Sequence, residues 1–227
     1  MSATDQGRLA VLSRIRDALG VTGRDRTREA AVEDRLRRHK RGTIPALAQA
    51  DHEALIELMT TMLVNQGAEV TRASTPEDAA RAMAEDLRAH DLPFILRMGS
   101  DPTLGSLPWD AAPALQRRIG PAKAEDRAAL SRAVVAAAET GTLFLVSGAD
   151  NPTTLAFLPE THFILIRPGD VVGSYEDAFD RLRAIYGEGR LPRTVNLISG
   201  PSRTADIEQT IVRGAHGPKR LHVVLLV

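Results

Sequence analysis

Short apolar runs recur along the chain from residue 92 onwards: "LPFILRM" ending at Met98, "TLFLVS" from Thr142, "THFILIRP" from Thr161, "TVNLIS" from Thr194 and "LHVVLLV" ending at Val227. Each is continuous rather than alternating, as in strands buried on both faces. Helical patterns lie between them. One helix begins near Asp51 with Leu55, Met59, Met62 and Leu63 on one face, and the strand "AEVTRA" follows it. "STPEDAARAMAEDLRAH" then opens on Ser74 or Thr75 as a cap, with Pro76 in the first turn and acids close behind. Another helix is expected over about Tyr175–Tyr186. This order of elements predicts an α/β fold with a largely parallel sheet and helices on both faces.

Two stretches are harder to place. The alanine-rich segment from about 124 to 139 reads as a long helix leading into "TLFLVS". Around "ADNPTTLAFLPE" two strands follow each other too closely for a regular βαβ alternation. The chain shows no internal repeat and no low-complexity tract.

Upstream, Leu9, Leu12, Ile15 and Leu19 recur at helical spacing and Gly20 follows as a stop, so residues 4–19 should form an amphipathic helix. Arg24 to Arg41 carries eight basic and four acidic residues, and its Glu33/Arg37 and Asp34/Arg38 pairs have the helix-supporting order. It reads either as a solvated helix or linker, or as a basic arm for nucleic acid or an acidic partner. No aromatic stacking residues accompany it, which favours the first. Residues 1–48 are thus expected to be a helical extension and residues 49–227 the α/β domain.

The 29 Lys and Arg residues balance 29 Asp and Glu, so no overall field draws the chain to nucleic acid or an anionic membrane. Cysteine is absent. That excludes thiol nucleophiles, disulfides, thiolate zinc sites and cysteine-ligated iron–sulfur clusters within this chain. Acids and arginines interrupt the N-terminal segment where a signal peptide needs an apolar core, and no apolar run approaches the roughly 20 residues that span a bilayer. These features lead us to expect a cytoplasmic protein with no membrane span.

Chemistry is expected at strand exits, where loops present backbone amides and hydroxyls. "SGPSRTADIEQT" follows the run "VNLI" with Ser199, Gly200, Ser202 and Thr204, and Asp206 with Gln209 resembles a capping box opening a short helix. Ser, Gly, Pro and Asp also build ordinary turns, so pattern alone leaves both readings open. The segment is not a Walker loop and the chain has no G-x-G-x-x-G. A second candidate is Glu139 with Thr140, placed as a carboxylate at the sheet rim or as a surface residue beside the Gly141 stop. His216 in "GAHGPKR" is either a turn histidine or a catalytic one. "HEALIE" at His52 lacks the second histidine of a zincin motif, and no set of His and carboxylates has a known metal spacing.

Taken in order, "AETGTLFLVS", "LAFLPETHFILI" and "SGPSRTADIEQTIVRGAHGPKRLHVVLL" resemble the lactate-utilisation protein C family (LutC/YkgG-like), whose core is the LUD domain. The resemblance covers roughly residues 50 to 227 and is densest after Ala136. It implies a fold of the NagB/RpiA/CoA-transferase-like type, that is, of glucosamine-6-phosphate deaminase and ribose-5-phosphate isomerase. It also implies a part in oxidising L-lactate to pyruvate alongside iron–sulfur partner proteins. Larger members join the domain to cysteine-rich segments, and this cysteine-free chain resembles the stand-alone form. No catalytic assignment comes with the resemblance. The candidates rest on motif position: Glu139, Asp206 and His216 as catalytic groups, and Thr140, Ser199, Gly200, Ser202, Thr204 and Glu208 as ligand-binding groups.

The leading expectation is a cytoplasmic subunit of a lactate-oxidising complex that binds a small carboxylate or other anionic ligand, needs no cofactor or metal in its own chain, and relies on clusters held by its partners. A non-catalytic metabolite sensor or scaffold is one alternative. An independent enzyme acting on a sugar phosphate or acyl-CoA is another, resting on the broad fold resemblance alone.

Overall fold

The Thr75 hydroxyl accepts a hydrogen bond from the Asp78 N–H at 3.1 Å, and Pro76 stands in the first turn of the helix that follows. This start is the one its sequence signals. The computed structural model describes residues 3–21, 25–187, 189–190, 192–207 and 210–227, with backbone alone at 3, 205–207 and 210–212. It divides into two compact units, Met1–Gly42 and Thr43–Val227.

The first unit holds helices α1 (Ala3–Ala18) and α2 (Arg26–Arg38). Asp25 caps α2 by accepting from the N–H groups of Thr27 and Arg28, and Arg38 pairs with Asp34 at 2.7 Å. None of the residues of α2 is buried. It is a solvated, charge-laced helix of the kind its composition predicts.

The second unit opens with α3 (His52–Asn65), β1 (Glu69–Ala73), α4 (Pro76–Ala89), β2 (Ile95–Met98), the single turn α5 (Pro102–Gly105) and β3 (Gln116–Ile119). It continues with β4 (Ala128–Arg132), β5 (Val135–Ala137), β6 (Thr142–Val146), β7 (Thr161–Ile166), β8 (Val171–Val172) and α6 (Tyr175–Tyr186). β9 (Val195–Ile198), β10 (Arg203–Ile207), β11 (Thr210–Arg213) and β12 (Arg220–Leu226) complete it. Six strands form one sheet in the order β1-β12-β7-β4-β2-β3, and every neighbouring pair is parallel. A second sheet, β8-β5-β6-β9, is mixed, with β5–β6 and β6–β9 antiparallel.

These two sheets explain where the apolar runs go. Val224, Phe163, Leu130 and Leu96 face α4 and Trp109 on one side of the parallel sheet. Val223, Leu225, Ile164 and Ile166 face the other way, onto α3 and the second sheet, which contributes Leu143 and Leu145. Phe144 and Val135 leave the far side of that second sheet to pack on Ala178 and Leu182 of α6. Strands β6 and β7 are buried at every position because each is covered on both faces.

The expected helix from 124 to 139 is replaced by strands. β4 belongs to the parallel sheet and β5 to the mixed one, and the chain crosses between them at Ala133 and Val134. There the Ala133 N–H bonds Leu165 O at 3.0 Å, while the next N–H, of Val134, bonds Phe144 O at 3.0 Å. Alanine's helix propensity is overridden because small side chains allow the two sheets to approach closely at this crossing. The expected helix start at Asp206 is likewise corrected. Asp206 lies within β10, which pairs antiparallel with β11 as a hairpin. The β-branched residues of "TIVR" favour that pairing over a helical turn.

Candidate functional site

Strand β9 runs antiparallel to β6 at the edge of the mixed sheet. Its exit loop therefore does not stand over the carboxyl ends of the parallel strands, as the sequence led us to expect. It opens instead onto a cavity of about 380 Å³ that includes His162 and Leu221, the second residues of β7 and β12. The cavity lies at the amino ends of those two strands. Its other walls come from Ser199 to Arg203, from His216 to Pro218, and from Gln66 after α3.

Two loops are tied together to make this wall. The Ser202 N–H bonds Pro218 O at 2.9 Å, and the Gly214 N–H bonds Ser202 O at 3.0 Å. The Ser202 amide is thus spent on structure rather than offered to a ligand, while its half-buried side chain remains in the wall. A β-carbon on Gly200 would stand 3.0 Å from the Gln66 β-carbon and 3.1 Å from its carbonyl oxygen, so only glycine fits this approach without a shift. Arg203 donates from its guanidinium to the Gln66 carbonyl, which anchors a cation at the rim. His216 is exposed and lines both this cavity and an adjoining concavity bordered by Arg127, Glu160 and Lys219.

Four sequence candidates, Ser199, Gly200, Ser202 and His216, thus meet at one cavity. Thr204 lies on β10 and is not among the lining residues. Asp206 is placed by its backbone alone, and Glu208 lies outside the described residues. Glu139 and Thr140 are elsewhere, in the turn between β5 and β6. Glu139 accepts from the Tyr175 N–H at 2.7 Å at the start of α6, next to the Ser174–Asp177 capping box. Thr140 Oγ1 is 2.8 Å from Thr142 Oγ1, which is 2.7 Å from the Tyr175 hydroxyl.

Motif and spacing did not single out His162, Arg203 or Gln66. His162 sits in "THFILI", where a polar residue second in a buried strand was the available signal. It is 1% exposed, and burial pushes its imidazole down to about 3, so the ring is neutral. Its Nε2 is 2.9 Å from Ser131 Oγ, and its Nδ1 has no hydrogen-bond partner among the described residues.

A separate polar cluster sits on the α4 side of the parallel sheet. Glu69, Asp86 and His90 bring ligand atoms within 4.8 Å of one another, a grouping invisible in their spacing. Arg220 already lies among them, 2.9 Å from Glu69 and 2.7 Å from Asp86, and supplies the positive charge there. His222 Nδ1 adds a contact to Asp86 at 2.9 Å while its Nε2 meets Thr71 Oγ1 at 2.8 Å. Burial works to raise the Asp86 carboxyl, but the hydrogen bonds and charges of His222 and Arg220 prevail and hold it well below the usual carboxylate range.

Among the described residues, no helix is long and apolar enough to cross a membrane. Residues 56–226 match the family described as the LUD domain. An uncharacterised protein of Neisseria meningitidis serogroup B is 38% identical over 99 residues, 44% of this chain and 42% of that one. The lactate utilization protein C of Shouchella clausii is 39% identical over 89 residues, 39% of each chain, and that of Bacillus subtilis 34% over 90 residues, 39% of this chain and 38% of that one. These matched stretches span about two fifths of the relatives' length. A crystal structure of a DUF162 family protein from Deinococcus radiodurans superposes with a TM-score of 0.58 over 78% of this chain and 99% of that one, at 22% identity, which shows a shared fold. With three quarters of its length inside the matched region, the chain belongs to the LUD domain family.

Proposed function

We propose that this chain is a component of an L-lactate-oxidising system, lactate to pyruvate, that works with iron–sulfur partner proteins and binds a small carboxylate in the cavity at the exit of β9. The observation that carries the reading is the meeting of Ser199, Gly200, Ser202 and His216 with the anchored Arg203 around one cavity, inside a family whose relatives here bear the name lactate utilization protein C. Hydroxyls and a fixed guanidinium are the donors that a carboxylate needs.

Oxidation of lactate releases two electrons, and a redox centre must receive them. A chain with no cysteine and no dinucleotide fingerprint has no residues for thiolate-held clusters or for that mode of nicotinamide binding. Partner proteins fill that role in this reading. Phe157, Leu158 and Leu197 are exposed apolar side chains, and Phe157 and Leu197 line the cavity itself, which supports a partner seated at its mouth.

Two measurements test the proposal. Calorimetric titration of the purified chain should show L-lactate binding, lost in Arg203→Gln. Reconstitution with the iron–sulfur partners should give lactate-dependent reduction of an acceptor dye, slower when this chain is left out. Lactate turnover by the chain alone, or a stoichiometric flavin or iron signal in its absorption spectrum and metal analysis, would overturn the accessory role.

A further inference from the structure

A second cavity, of about 260 Å³, lies at the carboxyl ends of β4 and β6, beside the loop that leaves β2. Open parallel sheets gather ligands at this end, and the cavity at the β9 exit is at the other. Arg132, the last residue of β4, is held through one atom: its Nε donates to Asp101 Oδ2 at 2.9 Å, while Asp101 Oδ1 accepts from the N–H groups of Thr103 and Leu104. The two terminal nitrogens of the guanidinium have no partner among the described residues. Asp150 comes from the turn after β6, where its Oδ1 accepts from Ser100 Oγ at 3.2 Å and its Oδ2 has no partner among the described residues. Arg132 and Asp150 form no ion pair with each other. Both nevertheless act on the Tyr186 hydroxyl, whose phenol is raised first by burial, lowered by the Arg132 charge and raised again by that of Asp150. A cation and an anion thus line one cavity and flank one hydroxyl without meeting.

We propose that this cavity binds a small aliphatic α-amino acid, with its carboxylate on the terminal nitrogens of Arg132 and its ammonium on Asp150. The inference does not draw on the carboxylate reading of the β9 exit. Asp101 and Asp150 outnumber Arg132 here, so a plain anion meets a net negative wall, and a plain cation leaves the guanidinium fork unmet. A zwitterion answers both charges at once. Asp101 is buried and already serves Arg132 and two amides, which leaves Asp150 as the carboxylate for an ammonium. Ser147 Oγ accepts from the Thr194 N–H at 3.0 Å and keeps its own proton to donate, so it adds a hydrogen bond to the ligand carboxylate. Val134 and Val146 supply an apolar wall for a short side chain. The volume lies below the roughly 300–1,000 Å³ of pockets for drug-sized ligands, which fits an amino acid and excludes a nucleotide.

The test compares L-valine with 3-methylbutanoate and isobutylamine, which keep its carbon skeleton and lack the ammonium and the carboxylate respectively. Titration of the full chain should show valine binding at least about tenfold more tightly than either, the least expected of one charge-assisted hydrogen bond. Asp150→Asn keeps an oxygen for Ser100 on an exposed residue and so preserves the fold. It should bring valine down to the level of 3-methylbutanoate and leave 3-methylbutanoate unchanged. In proton–nitrogen spectra of the full chain, valine should shift the amides of Ser147, Gly148 and Asn151 and leave those of Ser199, Gly200 and Ser202 in place. Absence of valine binding, equal affinity for either analogue, full affinity in Asp150→Asn, or shifts confined to the β9 exit overturns the inference. L-lactate binding at the β9 exit is read separately, since Asp150→Asn leaves that cavity intact.

Discussion

Glu139 Oε1 accepts a hydrogen bond from the backbone N–H of Tyr175 at 2.7 Å, joining the β5–β6 turn to the first turn of α6. The Ser174–Asp177 capping box satisfies the neighbouring amides, so Glu139 adds a further acceptor and a negative charge at the positive end of the helix. Glu139→Ala should cost about 1 kcal/mol, and Glu139→Gln, which keeps the acceptor, only a few tenths. Urea denaturation checks this. Carboxylate affinity should be the same in both variants, and a fall in both would make Glu139 a ligand-handling group after all.

Ser202 and Thr204 stand two residues apart in one sequence motif, yet only Ser202 lines the cavity. Ser202→Ala should weaken L-lactate binding about threefold to tenfold, the range of one hydrogen bond. Thr204→Ala should leave the affinity unchanged. Titration of the two variants side by side decides whether the cavity wall or the motif as a whole matters.

The neutral His162 links stability to pH. Its folded value of about 3 lies below the ordinary 6.5, so between these values the unfolded chain binds the proton that the native chain refuses. Stability from this group is fully present above about pH 6.5 and falls with acidification through that window, by up to about 1.4 kcal/mol per pH unit. Denaturation curves at pH 6.5 and 5.0 should show the loss, and His162→Gln should flatten the difference.

Ala48 O occupies the space where a β-carbon on Gly173 would stand, at 1.9 Å, and the obstacle is backbone. Gly173→Ala must displace either the 46–49 turn or the strand β8 beside it. We expect destabilisation of about 3 kcal/mol, at the upper end of ordinary overpacking. A thermal melt within a degree of wild type would show that the segment around Ala48 yields freely.

Asp86 serves Arg220 and His222 together at the junction of α4 and β12. Asp86→Asn should cost about 3 kcal/mol, because it leaves the Arg220 guanidinium with the exposed Glu69 as its remaining carboxylate partner. Equilibrium unfolding in urea measures the loss, and a change below about 1 kcal/mol would mean that Glu69 alone suffices.

Several elements follow from local chemistry alone. Thr75 with Pro76, and the helix from Tyr175 to Tyr186, carry their own start signals, and "THFILI" or "TLFLV" can satisfy a continuous apolar face only when covered on both sides. Ser199, Gly200 and Ser202 are legible as polar or flexible residues at a strand exit, and His216 as a loop histidine ahead of the last strand. The absence of cysteine set the limits on redox chemistry without reference to any fold.

Tertiary structure alone decided the rest, because the deciding contacts join residues far apart in the chain. Alanines at 128–137 have no period that separates helix from strand, and it is the partners β7 and β6 that make them strands of two different sheets. The direction of β9 against β6 moved the cavity to the amino ends of β7 and β12, which no property of "VNLISG" foretells. Ser131 and His162 are 31 residues apart, and Asp86 and His222 are 136 apart. The sequence by itself determined which segments could be strands, helices and polar exits, since these follow from propensity, capping and hydrophobic pattern. Sheet pairing decided which polar groups face one another, since that depends on register between strands whose order is set by packing the whole core.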